Sequence, residues 1–276
     1  MKFIYTLIPL LFISSLAHAQ TPKCDALTGD AAQVAKSVMD SSYLYDCCDE
    51  TISKCLNKKN VCSLAKRLAD ETCRLAGNGK SAAEIKHLLD QRSMVMGDVT
   101  PAVKIDKPAE FVWGNPNAKV VLSIYLCGRC PYCSRYVPEL IHTLENSPIK
   151  DSVAINMRLF PIKSHENSTP VALAVAAAAK MGKAWPYLLK VYENFDKFSP
   201  ELMPEMAAEM GLDAAQFNAL MQDAKTRDTV VAVKKEGFTN GVESTPTFFL
   251  NGRKIQSAFE TDLIIGMLEE AVENSK

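Results

Sequence analysis

Cys130 and Cys133 stand with two residues between them, Pro131 and Tyr132, where an apolar run gives way to a helical pattern. Two cysteines at this spacing close a small disulfide when the helix they open holds them together. At such a helix start the first thiol lies over unsatisfied backbone N–H groups and the positive end of the dipole, which favours its thiolate. Pro131 suits the first helical turn. About a hundred residues later Thr245-Pro246-Thr247 precedes an apolar run, as a cis-proline beside a redox dithiol would. The chemistry this pair predicts is thiol–disulfide exchange. A lone Cys-x-x-Cys would also suit zinc.

The elements that must position these residues are legible from residue 110 onward. Residues 111–113 read as a short strand and 114–117 as a turn. Residues 120–126 form an almost wholly apolar run, as for a central strand covered on both faces. A helix follows the dithiol to about Glu145, and residues 153–160 alternate as a second strand. The chain is then helical from about 170 to 238, broken at Gly182, Pro186, Pro200 and Gly211. Residues 247–250 and 253–255 flank Asn251-Gly252, a type I′ hairpin signal, and residues 263–272 close the chain as a helix. The fold class this order predicts is α/β: a thioredoxin fold with a helical insertion at about 170–238.

The first third is different. It holds Cys24, Cys47, Cys48, Cys55, Cys62 and Cys73, while the other three of the nine cysteines lie between residues 127 and 133. Residues 30–45 and 61–76 carry apolar residues at helical spacing, and Ser81 with Glu84 forms a capping box before Ile85, Leu88 and Leu89. So small a helical unit has little core, which disulfides would compensate. The adjacent Cys47 and Cys48 are expected to take different partners, because a bond between neighbours is strained. The expected organisation is a Cys-rich helical domain over 20–96, a linker over 97–108 and a dithiol domain over 109–276.

Residues 1–19 have a charged start, an apolar run too short to span a bilayer and an Ala-x-Ala end, the pattern of a signal peptide cleaved after Ala19. Export to the periplasm fits the cysteine content. With 31 basic and 32 acidic residues the formal net charge is −1, which gives no reason to expect nucleic acid as a partner.

From about residue 108 to the C-terminus the chain resembles the DsbA-like branch of the thioredoxin superfamily. The likeness rests on Cys-Pro-Tyr-Cys, on residues 160–165 (Phe-Pro-Ile-Lys-Ser-His), on the alanine-rich helix running to Trp185, and on residues 241–252 around Thr245-Pro246. It implies that Cys130 is the attacking, partly exposed thiolate and Cys133 the buried partner that resolves the mixed disulfide. It also implies that Pro246 is cis and that Thr245 offers its backbone to an extended substrate. The implied partners are cysteine-containing exported proteins and a membrane or periplasmic redox partner. No cofactor and no metal are implied. The second half of the helical domain faintly resembles the three-helix domain of the CcmH family, whose redox motif is absent here.

Two departures stand out. The family's buried acid six residues before the first cysteine is Ile124 here. Cys127 occupies a position where relatives often have aspartate, so that Cys127-Gly128-Arg129-Cys130 makes a second, overlapping Cys-x-x-Cys. Cys127 has three readings: a small buried residue, a redox partner of Cys130, or a metal ligand with Cys130, Cys133 and either His142 or His165. Arg129 beside the nucleophile should favour its thiolate, and Tyr132 and His165 are further candidate modulators. Oxidation of exported polypeptides is the favoured activity. Isomerase or reductase action, or a metal- or apocytochrome-binding chaperone, are the alternatives.

Overall fold

The computed structural model describes residues 22–256 and 260–275; the signal peptide read over residues 1–19 lies outside them. The chain divides into two compact units, Met1–Ile85 and Lys86–Lys276.

The first unit contains α1 (Pro22–Asp25), α2 (Gly29–Ser41), α3 (Ile52–Leu56), α4 (Ser63–Gly77) and the opening turn of α5 (Ala82–Met96). Leu64, Leu68 and Leu75 fall on one buried face of α4, against which α1, α2 and α3 pack. Cys24–Cys73 ties α1 to α4, Cys47–Cys62 ties the loop after α2 to the start of α4, and Cys48–Cys55 ties that loop to α3. The neighbouring cysteines thus take different partners, as expected. The helix expected over 30–45 ends at Ser41. Ser42 is extended and Tyr43 bridges to Thr51, which takes Tyr45 off the helix. The capping box is present: Ser81 N–H donates to Glu84 Oε2 at 2.8 Å and Glu84 N–H to Ser81 Oγ at 3.4 Å.

The second unit is built on a five-stranded sheet. Its elements are β1 (Val112–Gly114), β2 (Val120–Leu126), α6 (Pro131–Glu145), β3 (Val153–Leu159), the helices α7 (Ser168–Lys180), α8 (Ala184–Glu193), α9 (Leu202–Glu209), α10 (Ala214–Gln222) and α11 (Ala224–Thr239), then β4 (Thr247–Leu250), β5 (Arg253–Ile255) and α12 (Thr261–Asn274). The strand order is β1-β3-β2-β4-β5. β2 runs parallel to β3, with Val120 opposite Val153, and antiparallel to β4, with Tyr125 opposite Thr247. Asn251 and Gly252 join β4 to β5 with φ of 48° and 82°, the left-handed pair a type I′ turn needs. A Cβ on Gly252 would lie 2.3 Å from Val103 O, so the close approach also demands glycine. This is an α/β fold with a helical insertion between β3 and β4, preceded by a disulfide-stapled all-α part.

Leu122, Ile124 and Leu126 of β2 join the main core with Val137 and Leu140 of α6 and Leu263 and Leu268 of α12. Tyr125, pointing to the other face, packs with Phe160, Val233, Val242 and Phe249. β3 departs from the alternation its sequence suggests, because all seven of its residues are buried. Asn156 Nδ2 donates to Ser123 Oγ and Asp106 O, both at 3.0 Å, and Arg158 Nη2 donates to Glu236 Oε1 at 2.7 Å. Burial of such polar groups is tolerated only when they are paired in this way. Residues 97–108, read from sequence as a linker, fall within the second unit: Val103 N–H donates to Gly252 O at 2.9 Å. The first strand starts one residue later than expected, since Phe111 closes a 3₁₀ turn. No helix of the described residues is long and apolar enough to cross a membrane.

Candidate active site

β2 delivers the chain to the site. Cys127 follows its last residue, and a turn closed by Cys130 N–H donating to Cys127 O at 3.1 Å leads into α6. Gly128 is required in that turn, because a Cβ there would meet Val171 Cγ1 of α7 at 2.3 Å. Cys130 is the N-cap of α6, with extended backbone, and Pro131 takes the first helical position. Cys133 comes one turn later. The Thr245–Pro246 peptide bond, just before β4, is cis, and Thr245 O lies 3.2 Å from Cys130 Sγ. The antiparallel pairing of β2 with β4 is what brings residues 115 positions apart into contact.

Cys127, Cys130 and Cys133 carry free thiols and all are buried. The two thiols of the Cys-x-x-Cys are driven apart in acidity. A hydrogen bond from Cys133 lowers the Cys130 pKa to about 5, against the opposing effect of burial. The Thr245 side chain and the N–H groups of Cys133 and Tyr132 at the helix start add to the lowering. Burial raises the Cys133 pKa well above the ordinary thiol range, and the neighbouring Cys130 raises it further. One sulfur is therefore a thiolate at neutral pH and the other a thiol that donates to it.

The surroundings differ from expectation in three respects. The resemblance implies a partly exposed Cys130, but the residue is 1% exposed: its sulfur turns inward, onto Thr245 O and Cys133. Tyr132, by contrast, is 62% exposed. Arg129 is held by the helical insertion. Its guanidinium carbon sits 4.4 Å from the Phe195 ring centroid and 4.6 Å from that of Phe198, and Nη1 donates to Phe195 O at 2.8 Å. Cation–π attraction draws it into the helical insertion. His165, third, faces Cys127, with Nδ1 3.5 Å from Cys127 Sγ.

Sequence reasoning missed Tyr192. Its hydroxyl donates to Cys127 O at 3.3 Å, it hydrogen-bonds with Cys133, and burial pushes its pKa well up. Ile124 is fully buried and apolar, so β2 brings no acid to the thiols at that position, while α8 of the insertion brings the Tyr192 hydroxyl. An aromatic residue in a helical block gives no signal of this in sequence. Tyr192 also lines a groove of about 320 Å³ with Ser134, Pro138, His142, Glu145 and Leu189. His142, weighed as a fourth metal ligand, lies in that groove. Among the described residues no group of three or more His, Cys, Asp or Glu is placed to hold a metal ion.

A family profile described as Thioredoxin matches residues 106–270. The Na(+)/H(+) antiporter NhaA of Herminiimonas arsenicoxydans is 26% identical over 165 residues, covering 60% of this chain and 26% of its own. The chain thus spans about a quarter of the length of the curated relatives it matches. Among solved structures, oxidised BdbD from Bacillus subtilis is similar with a TM-score of 0.54 at 17% identity, covering 62% of this chain and 98% of its own. The thiol-disulfide exchange protein alpha-DsbA2 from Wolbachia pipientis is similar with a TM-score of 0.52 at 18% identity, covering 70% and 100%. At these identities the likeness is one of fold.

Proposed function

The chain belongs to the thioredoxin family, and from that premise we propose that it is a protein-disulfide oxidoreductase that oxidises cysteines of exported polypeptides in the periplasm. The observation that carries this reading is the split acidity of a paired dithiol, Cys130 near 5 and Cys133 far above it, beside the cis Thr245–Pro246 bond. A substrate thiolate attacks Cys130 Sγ of the closed Cys130–Cys133 disulfide, and Cys133 leaves and takes up a proton. A second substrate thiol then attacks the substrate sulfur of the mixed disulfide and releases Cys130 as its thiolate. The released pair is the arrangement in the structure, with the Cys133 thiol donating to the Cys130 thiolate.

Direction follows from the same energetics. Every contact that favours the thiolate stabilises the reduced enzyme and makes its disulfide more oxidising; strongly oxidising proteins of this class reach about −120 mV, against about −270 mV for thioredoxin. A cavity of about 170 Å³ beside Pro246, lined by Glu243, Ser244, Thr247, Phe248 and Lys254, gives room for substrate side chains next to the Thr245 backbone. A membrane or periplasmic partner would reoxidise the dithiol.

The test is the reduction potential of the Cys130–Cys133 pair in glutathione buffers. A value above about −200 mV supports oxidation, and one near that of thioredoxin overturns it in favour of a reductase. Cys130→Ser should abolish peptide oxidation, and Cys133→Ser should slow release of the mixed disulfide. Retained activity in Cys130→Ser would overturn the exchange reading altogether.

A further inference from the structure

We propose that Cys127 is a third redox thiol, which displaces Cys133 from Cys130 to give a second internal disulfide, Cys127–Cys130, with His165 as the base. The proposal rests on the exchange reading above and concerns the same sulfur centre.

The turn holds the two Cα atoms within the span a disulfide can bridge. A four-residue turn closed by the Cys130 N–H to Cys127 O bond, 3.1 Å here, holds its first and fourth Cα atoms within about 7 Å. Disulfides span Cα separations of about 4.4–6.8 Å. The turn is not loose, since Gly128 is packed against Val171 too closely for any Cβ. Cys130 is therefore the centre of two Cys-x-x-Cys spacings, one reaching forward along α6 and one back to the end of β2.

The surroundings of Cys127 supply a base. His165 Nδ1 lies 3.5 Å from its Sγ, within reach to take its proton. Backbone N–H groups of Ile162 and Arg129 hydrogen-bond the sulfur, but burial prevails and its pKa is raised, so the thiol needs a base to react. A cysteine that merely filled space would need neither. The electrophilic sulfur available to Cys127 is that of oxidised Cys130, three residues along the same turn.

The step balances without any outside oxidant. Starting from the Cys130–Cys133 disulfide, the Cys127 thiol gives its proton to a neutral His165. Its sulfur attacks Cys130 Sγ, the Cys130–Cys133 bond breaks, and the Cys127–Cys130 bond forms. Cys133 leaves as a thiolate and takes a proton from solvent, while His165 returns its own to solvent. One thiol is consumed and one is made, with no net change in oxidation. The same attack on a mixed disulfide at Cys130 expels the bound thiol, so Cys127 is also a second resolving group.

The test uses Cys133→Ala in the full chain, loaded at Cys130 with oxidised glutathione and followed by whole-protein mass spectrometry. Cys127 should expel glutathione and leave an internal disulfide at least about tenfold faster than in the Cys127→Ala/Cys133→Ala double variant. Equal persistence of the adduct in both overturns the proposal and leaves the exchange reading intact. If Cys130 takes up no glutathione in either variant, both readings fall. Slower release in His165→Asn supports its role as base, and unchanged release removes it.

Wild-type protein provides an arm free of folding artefacts. After partial oxidation and acid quench, trypsin cleaves at Lys119, Arg129 and Arg135, placing Cys127 on residues 120–129 and both other thiols on residues 130–135. A linked pair of these peptides, joined at Cys130, supports the proposal. Only a self-closed 130–135 peptide, whatever the degree of oxidation, overturns it.

Discussion

The same residue type does opposite work in the two units. In the first, all six cysteines are locked in disulfides across short helices. In the second, all three are free and gathered at one helix start. The cores explain the division of labour. The first unit buries mostly alanine, leucine and valine from α2 and α4, too little apolar surface to hold itself without cross-links. The second buries both faces of a sheet and adds ion pairs such as Arg92 Nη2 to Glu270 Oε2 at 2.6 Å. A region whose fold depends on its disulfides cannot cycle them, and one held by packing can.

That contrast can be broken experimentally, and the largest effect should come from reduction. With all three disulfides reduced, the first unit should lose its helical signal, while thermal unfolding of the second is retained; a common loss of both, followed by circular dichroism, would refute the division. The Cys24→Ser/Cys73→Ser pair alone opens a span of 49 residues, which should cost about 4 kcal/mol in denaturant titration. Next, Arg92→Ala should break the buried ion pair with Glu270 and destabilise the second unit by about 3–5 kcal/mol, leaving the response of the first unit to reductant unchanged.

The smallest effect is the most specific to the free thiols. The Cys130 pKa is depressed to about 5, so its contribution to the stability of the reduced protein is fully present above the unfolded thiol value near 9 and is lost as pH falls through about 5. The melting temperature of reduced protein relative to Cys130→Ser should therefore rise between pH 5 and pH 8. Iodoacetamide modification of Cys130 should show its inflection near pH 5, and an inflection near the ordinary thiol value would sink the assignment.

Features set by neighbouring residues were legible in the chain. β2 and α6 have the expected bounds, because an unbroken apolar run and a proline at the first helical position are local signals. The hairpin at Asn251-Gly252 and the capping box at Ser81 are local in the same sense. What failed depends on distant residues. β3 looked half-exposed because Asn156 and Arg158 are polar, yet Ser123 and Asp106 accept from Asn156 Nδ2 and Glu236 pairs with Arg158 from elsewhere in the chain. Arg129 looked like a partner of the thiolate until Phe195 and Phe198, more than sixty residues on, drew it away. Ile124 showed that an acid was missing, but nothing local named Tyr192 as the hydroxyl beside the thiols.

Nine is an odd number. Six cysteines are spoken for in the first unit, and Cys130 can join only one neighbour at a time, so a fully oxidised chain keeps one sulfur over whichever way the site closes. In an oxidising compartment a leftover thiol invites cross-linking to a second chain. Cys127 and Cys133, at 1% and 0% exposure, are the two residues that could be left, and both are shut inside. The leftover sulfur is thus always a buried one, and a cross-link through it to a second chain would first require the site to open.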